Sequence, residues 1–196
     1  MVKEKEERVG GWFIKPLDAP NYCYNQQCSS DLFNTDSLSA LDTVFLLLHG
    51  NAKNRGAAHR IAAYKTFQKL GFHTLTIDYR GYGDSIKVGD LSESSVVNDA
   101  LMAIRGLRRH LGNKFKLVLY GHSLGSAIAN HAAVLADREG LQVDGVLLAS
   151  PMHSLAWGFN SNPLVAVIDS LLDVGGHMEA CMTQSIIGVS LTTSFI

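Results

Sequence analysis

Four short segments of the chain are almost continuously apolar, and more polar segments separate them. The apolar segments cover residues 43–48, 73–77, 116–120 and 145–149. Strands that are covered on both faces have such unbroken apolar runs, whereas a strand with one face in solvent alternates between apolar and polar residues. We therefore predict four strands of a buried, mostly parallel sheet.

Helices are predicted between these strands. Apolar residues at every third position from Ile61 to Leu70 mark the first helix. A second apolar stripe runs from Val96 to Leu111, with Ser92 as its N-cap and Gly112 as its end. The Ala-rich segment 126–136 forms the third. Alternating strands and helices at this spacing require right-handed crossovers, so we expect helices on both faces of the sheet.

The two ends of the chain add weaker signals. Residues 11–14 and 22–24 have the composition of short antiparallel edge strands, and residues 164–174 have that of an amphipathic helix. Residues 186–191 are β-prone and uncharged, which is typical of an added edge strand or of an aggregation-prone segment. As an added strand, this segment is expected to lie beside the strand at 145–149.

A glycine-flanked serine lies where the strand at 116–120 meets the third helix. The sequence there is Gly121-His122-Ser123-Leu124-Gly125, the G-x-S-x-G pattern of a nucleophile elbow. The turn should hold Ser123 in a strained conformation, and a Cβ atom at position 121 or 125 should collide with the neighbouring strand and helix. Ser123 is therefore the candidate nucleophile.

Two further loops follow the first two strands. In His49-Gly50-Asn51-Ala52, the backbone N–H of Asn51 can point at the same place as that of Leu124, which predicts a two-donor oxyanion hole. His49 is expected to brace this loop, and His122 to point away from the serine hydroxyl. In the loop 78–85 we expect Asp78 and Arg80 to hold the loop and each other.

Composition excludes several classes of protein. The chain has 196 residues, 46% hydrophobic content and a net charge of −1, which suits one globular domain and gives no basic excess for nucleic acid. Cys23, Cys28 and Cys181 follow no metal or disulfide spacing, which favours a reducing compartment. No signal peptide and no apolar run long enough to span a membrane is visible, so the residues themselves predict a soluble, cytoplasmic chain without a metal.

Charge is unevenly distributed and suggests where the domain ends. All 17 Lys and Arg residues lie at or before Arg138, although a folded surface normally carries mixed charge throughout. We predict a charged N-terminal tail at 1–8, a partial domain at 9–160 and a divergent C-terminal tail at 161–196.

Taken together, the motifs at 49–52, 78–85 and 121–125 resemble those of the α/β-hydrolase-domain lipases that cleave lysophosphatidylserine and monoacylglycerols. The resemblance covers about residue 9 to residue 160. It implies an α/β-hydrolase fold, a lipid ester substrate, no cofactor, and work at a membrane surface, with residence in the endoplasmic reticulum membrane. It also implies that Ser123 is the nucleophile and that Asn51 and Leu124 are the oxyanion donors.

The second half of a catalytic triad departs from this resemblance. Those lipases take an acid and a histidine from loops after two further strands, and the loop at 150–154 has no carboxylate. Asp169 or Asp173 with His177 keeps the order serine, acid, histidine and is the candidate substitute triad, although all three lie in a tail without the strands that hold such residues. We therefore expect a C-terminally truncated fold and a shortened, catalytically impaired form of the enzyme.

Two other functions remain open on the sequence. An acyl-protein thioesterase of a neighbouring α/β-hydrolase group shares His-Gly-Asn-Ala, but such enzymes usually have Gln where this chain has His122. A non-enzymatic binding module of the same fold would explain the missing triad residues, although it would need neither the elbow nor the oxyanion loop. The oligomeric state is left open.

Overall fold

The computed structural model describes residues 8–17, 23–24, 27–28, 42–87, 91–151 and 186–192. Strands and helices alternate through the central part of this range, as the apolar pattern predicts. The elements in chain order are β1 (Arg8–Ile14), β2 (Cys23–Tyr24), β3 (Gln27–Cys28), β4 (Thr43–Leu48), α1 (Ala58–Lys69), β5 (His73–Ile77), α2 (Glu93–Leu111), β6 (Lys116–His122), α3 (Leu124–Arg138), β7 (Gly145–Ala149) and β8 (Ile186–Thr192).

Six of the strands form one mixed sheet in the order β7-β6-β4-β5-β1-β8. The strands β4 to β7 run parallel to one another, whereas β1 pairs antiparallel with both β5 and β8. The prediction of a mostly parallel sheet is confirmed. Because the carboxyl ends of parallel strands share one edge, the loops after β4, β5 and β6 meet there.

Helices cover both faces of the sheet, also as predicted. Leu46 points into the core formed with α2 and α3, which contribute Ile104 and Ile128. Leu47, its neighbour on β4, points to the other face and packs with Tyr64 of α1. This alternation explains why β4 is apolar from Val44 to Leu48: each face of the strand has its own hydrophobic layer.

The predicted ends of α2 are observed. Ser95 N–H donates to Ser92 Oγ over 3.2 Å and Ser92 N–H donates to Ser95 Oγ over 3.1 Å, so Ser92 caps the helix in a capping box. Gly112 ends it at φ 68°. For α1, one expectation was wrong: Leu70 lies just after the helix and is 64% exposed, so it is not part of the buried stripe.

Two expectations about the ends of the chain are corrected by the pairing. Residues 11–14 do not form an edge strand, because β8 lies on the far side of β1 with Gly11 opposite Val189. Residues 186–191 do form an added strand, but they pair with β1 and not with the strand at 145–149, which lies at the opposite edge of the sheet. Local composition predicts a strand without specifying its partner.

Residues 22–24 were also expected to contain an edge strand. Within that segment the structure has β2, which pairs with β3 in a separate two-stranded sheet. The predicted helix at 164–174 lies outside the described residues, so the domain boundary near residue 160 stays a prediction.

Candidate active site

Ser123 lies at the sharp turn between β6 and α3. Its backbone has φ 52° and ψ −117°, a left-handed conformation that a residue with a Cβ atom rarely adopts. The turn is fixed on both sides, because Ser123 N–H donates to the carbonyl oxygen of Ala149 over 3.0 Å and Ser126 N–H donates to that of Ser123 over 2.8 Å. Strain of this kind costs about 1–3 kcal/mol and persists only where the surroundings hold it.

The two glycines of the elbow are required by close approach of the backbone. A Cβ atom on Gly121 would lie 2.3 Å from the carbonyl oxygen of Gly125. One on Gly125 would lie 2.0 Å from the carbonyl oxygen of Leu48, at the end of β4. Both distances are far inside van der Waals contact, so only glycine lets α3 begin this close to the sheet. The collisions expected from the sequence are present.

The loop that follows β4 lies against the elbow. A Cβ atom on Gly50 would be 3.4 Å from Ser123 Cβ and 3.4 Å from His122 Nδ1. Asn51 comes next and is exposed, and its side-chain oxygen accepts a hydrogen bond from Tyr82 Oη over 2.7 Å. Leu124 is buried at the first position of α3. The structure therefore brings the loop of Asn51 and the elbow of Ser123 together, as the sequence predicts.

A buried arginine holds the conformation of this loop. The Arg60 guanidinium donates to the carbonyl oxygens of Asn54 over 2.7 Å, Ala52 over 2.5 Å and Gly50 over 3.1 Å. Loop carbonyls that point inward need hydrogen-bond donors, and one guanidinium supplies donors in several directions at once. Sequence reasoning gave Arg60 no such role, because the first turn of α1 offers no local signal that its side chain reaches back to the preceding loop.

Asp78 is the second fixed point of the loop. Its carboxylate is 1% exposed and accepts from Arg55 N–H over 2.6 Å and from the Arg55 guanidinium over 2.5 Å. Asp78 Oδ1 also lies 3.2 Å from His49 Nε2, while His49 Nδ1–H donates to the carbonyl oxygen of Gly50 over 2.8 Å. Burial alone would raise the pKa of Asp78, but contacts with His49 and Arg55 hold that pKa below its usual value. His49 thus braces the loop, as expected.

The expected pairing of Asp78 with Arg80 is wrong. Arg80 instead donates to Asp99 of α2, with Arg80 Nη2 2.7 Å from Asp99 Oδ1 and the Arg80 backbone N–H 2.8 Å from Asp99 Oδ2. Asp99 is fully buried. Positions 78 and 80 are close in sequence, but their side chains contact two different neighbours. Asp78 fixes the loop after β4, and Arg80 fixes α2 to the end of β5.

Two tyrosines pack around His49. The ring of Tyr79 lies 4.4 Å from that of His49, and Tyr79 Oη donates to the His49 carbonyl oxygen over 3.0 Å. Burial raises the pKa of Tyr79 well above its usual value. The Tyr82 ring lies 5.3 Å from His49 in an edge-on arrangement. Both tyrosine rings therefore pack against His49, and the Tyr82 hydroxyl also contacts Asn51.

The remaining predicted site residues lie outside the described part of the chain. They are Asp169, Asp173 and His177. Within residues 8–17, 23–24, 27–28, 42–87, 91–151 and 186–192, no group of three or more His, Cys, Asp and Glu residues is placed to hold a metal ion. In the same ranges no helix is both long enough and apolar enough to cross a bilayer.

An α/β-hydrolase is defined by these features: a mostly parallel sheet with helices on both faces, and a strained serine between a strand and the helix that follows it. The chain belongs to the family described as serine aminopeptidase S33, whose model matches residues 39–177. A carboxyl esterase from Bacillus coagulans shares the fold, with a TM-score of 0.51 at 17% identity over 72% of this chain and 39% of that one. The expected α/β-hydrolase fold is confirmed.

Similar sequences carry more specific names. The chain is 34% identical over 165 residues to lysophosphatidylserine lipase ABHD12 of Bos taurus, which covers 84% of this chain and 40% of that protein. It is 39% identical over 132 residues to lysophosphatidylserine lipase ABHD12 of Danio rerio, which covers 67% of this chain and 34% of that protein. The chain therefore spans about 40% or less of the length of these two curated relatives.

Proposed function

We propose that this chain carries the nucleophile and the oxyanion hole of a serine hydrolase that cleaves carboxylic esters of lipids, of the lysophospholipid or monoacylglycerol class. The observation that carries the proposal is the backbone of Ser123, held at φ 52° between β6 and α3. A turn that only carried the chain from strand to helix would not need a strained serine flanked by two glycines that tolerate no side chain.

The proposed chemistry begins with attack of Ser123 Oγ on the ester carbonyl carbon. Negative charge then develops on the carbonyl oxygen, where the backbone N–H groups of Leu124 and Asn51 stabilise it. Leu124 is the first residue of α3, so the positive end of the helix dipole adds to this effect. Loss of one such donor typically costs about 3 kcal/mol of transition-state stabilisation.

Attack also requires a base that takes the proton from Ser123 Oγ and later gives it to the leaving alcohol. Beyond β7, the acids and histidine that keep the order serine, acid, histidine are Asp169 or Asp173 with His177. We propose that these residues form a substitute triad that activates Ser123 only weakly. Removal of triad members from a serine protease leaves only residual catalysis from the oxyanion hole and from binding, so we expect low turnover from this chain.

The substrate class rests on the motifs and on the names of the relatives, which are lysophosphatidylserine lipases. An ester of this kind has one acyl chain and a polar remainder, and it partitions into lipid surfaces. We therefore propose that the substrate is met at a membrane surface, that of the endoplasmic reticulum. Membrane fractionation tests the location: the tagged chain should sediment with endoplasmic reticulum markers, and recovery with cytosolic markers alone would contradict it.

Hydrolysis of defined esters tests the function. The purified chain is assayed with a lysophosphatidylserine, a monoacylglycerol and a long-chain acyl thioester, alongside Ser123→Ala. The matched control is Ser94→Ala, an exposed serine on α2. Turnover of the oxygen esters should be at least about 10³-fold below that of a complete relative. It should vanish in Ser123→Ala and be unchanged in Ser94→Ala.

Three results would redirect the proposal. Preferential thioester cleavage would favour the acyl-protein thioesterase alternative. Lipid binding with no Ser123-dependent turnover would favour a binding module. Turnover that matches a complete relative would mean that the base is fully supplied, and loss of that turnover in His177→Ala would identify the residue.

A further inference from the structure

Two of the three cysteines lie directly opposite each other on a two-stranded antiparallel ribbon. The register of β2 and β3 pairs Cys23 with Cys28 and Tyr24 with Gln27. Opposite residues of an antiparallel ladder have Cα atoms about 4.5 or about 5.5 Å apart, depending on the kind of pair. A disulfide needs a Cα separation of about 4.4–6.8 Å. The backbone register therefore satisfies this requirement for either kind of pair.

We propose that Cys23 and Cys28, which the register of β2 and β3 places opposite each other, are a redox modification site that forms a reversible intramolecular disulfide. The spacing of the cysteines gave no sign of this, because four intervening residues match no common framework. The pairing follows from the ribbon and not from the sequence. Cys181 lies outside the described residues and takes no part in the proposal, which is also independent of Ser123.

The oxidant is a small-molecule disulfide such as oxidised glutathione. The thiolate of one cysteine attacks a sulfur of the oxidant and releases one glutathione thiolate, leaving a mixed disulfide. The thiolate of the second cysteine then attacks the protein-bound sulfur of that mixed disulfide and releases the second glutathione. Two electrons pass to the oxidant, and the two thiol protons end on the two released glutathione molecules.

Reversibility follows from the short segment that the bond would close. The chain from Cys23 to Cys28 is six residues long, and the stabilisation from cross-linking grows with the length of the loop. A bond across so short a loop therefore stabilises the folded chain less than a bond that closes a long loop. The bond should therefore be reduced and re-formed in a glutathione buffer and should not behave as a permanent structural disulfide.

The experiment measures the equilibrium constant for this disulfide in the folded and unfolded chain. The reduced 196-residue protein is equilibrated with mixtures of reduced and oxidised glutathione, quenched with N-ethylmaleimide, and mapped by peptide mass. The same titration in guanidinium chloride gives the contribution of sequence proximity alone. Cys181→Ser serves as the control variant, and Cys23→Ser removes the proposed pair.

We expect Cys23 and Cys28 to lose N-ethylmaleimide labelling together, in the parent and in Cys181→Ser alike. The folded chain should favour the disulfide by at least about tenfold over the unfolded chain, or about 30 mV for a two-electron couple. In Cys23→Ser, Cys28 should form only a mixed disulfide with glutathione. Equal equilibrium constants in both states, or a disulfide that maps to Cys181, would overturn the proposal. Neither result depends on a variant folding, because both are read on the parent chain.

Discussion

Replacement of Asp78 by Ala should be among the most damaging changes in the described part of the chain. The substitution removes a carboxylate that accepts from Arg55 N–H over 2.6 Å and from the Arg55 guanidinium over 2.5 Å, and that lies 3.2 Å from His49 Nε2. Breaking a buried ion pair from one side typically costs about 3–5 kcal/mol. A typical domain is stable by only about 5–15 kcal/mol, so much of the free energy of unfolding should be lost.

Asp84 provides a matched control because it pairs with the same arginine. Its carboxylate accepts from the Arg55 guanidinium over 2.6 and 2.8 Å, yet its side chain is 66% exposed. An exposed ion pair contributes at most about 1 kcal/mol, so Asp84→Ala should cost far less than Asp78→Ala. Asp78→Asn keeps the volume and one acceptor oxygen, and it should fall between them.

Urea unfolding of the three variants, followed by circular dichroism, measures these differences. The reaction of Ser123 with a fluorophosphonate probe should fall in the same order, since Asp78 and His49 hold the loop that carries Asn51. Equal costs for Asp78→Ala and Asp84→Ala would refute the assignment of Asp78 as the buried fixed point of the site.

Three further outcomes are expected. Gly125→Ala should slow probe labelling of the elbow, since its Cβ atom would overlap a carbonyl oxygen. By contrast, Gly145→Ala, whose Cβ atom would make only an ordinary contact of 3.7 Å with Val118, should leave the labelling rate unchanged. The difference in unfolding free energy between the parent and Asp78→Asn should have its full value above about pH 4 and shrink below it. The reason is that the pKa of Asp78 is lowered in the folded chain, so its carboxylate stabilises the fold until it is protonated. Urea titrations from pH 7 to pH 2.5 measure this difference. The chain is expected to self-associate through the edge strand β7, where Leu147 is 50% exposed, and Leu147→Lys should reduce this self-association in sedimentation velocity. Unchanged sedimentation would argue against edge pairing.

The parallel core of the fold could be predicted from local patterns. Apolar runs mark β4, β6 and β7 at residues 44–48, 117–120 and 146–149, and each helix between the strands has a stripe or a cap, as at Ser92 and Gly112. The elbow was equally visible, because its glycines have no alternative at positions where a Cβ atom would meet the backbone at 2.0–2.3 Å. Short-range sterics of this kind leave a signature in a few consecutive residues.

Long-range pairing left no such signature. Whether β8 joins β1 or β7 depends on which sheet edge is open to it, and the composition of residues 186–191 is the same in both cases. The partners of Asp78 and Arg80 likewise lie 23 and 19 positions away, at Arg55 and Asp99. Nearness in sequence predicts a pair between Asp78 and Arg80, whereas the folded chain brings Arg55 to Asp78 and Asp99 to Arg80.

Covalent labelling with a fluorophosphonate, mapped to the modified residue, tests the central claim most directly. The folded chain should carry the label on Ser123 alone; labelling should be slow, because the proposed base is weak, and should disappear in Ser123→Ala and in guanidinium chloride. Label on another serine, or label that persists in Ser123→Ala, would contradict the account of the elbow as the catalytic nucleophile.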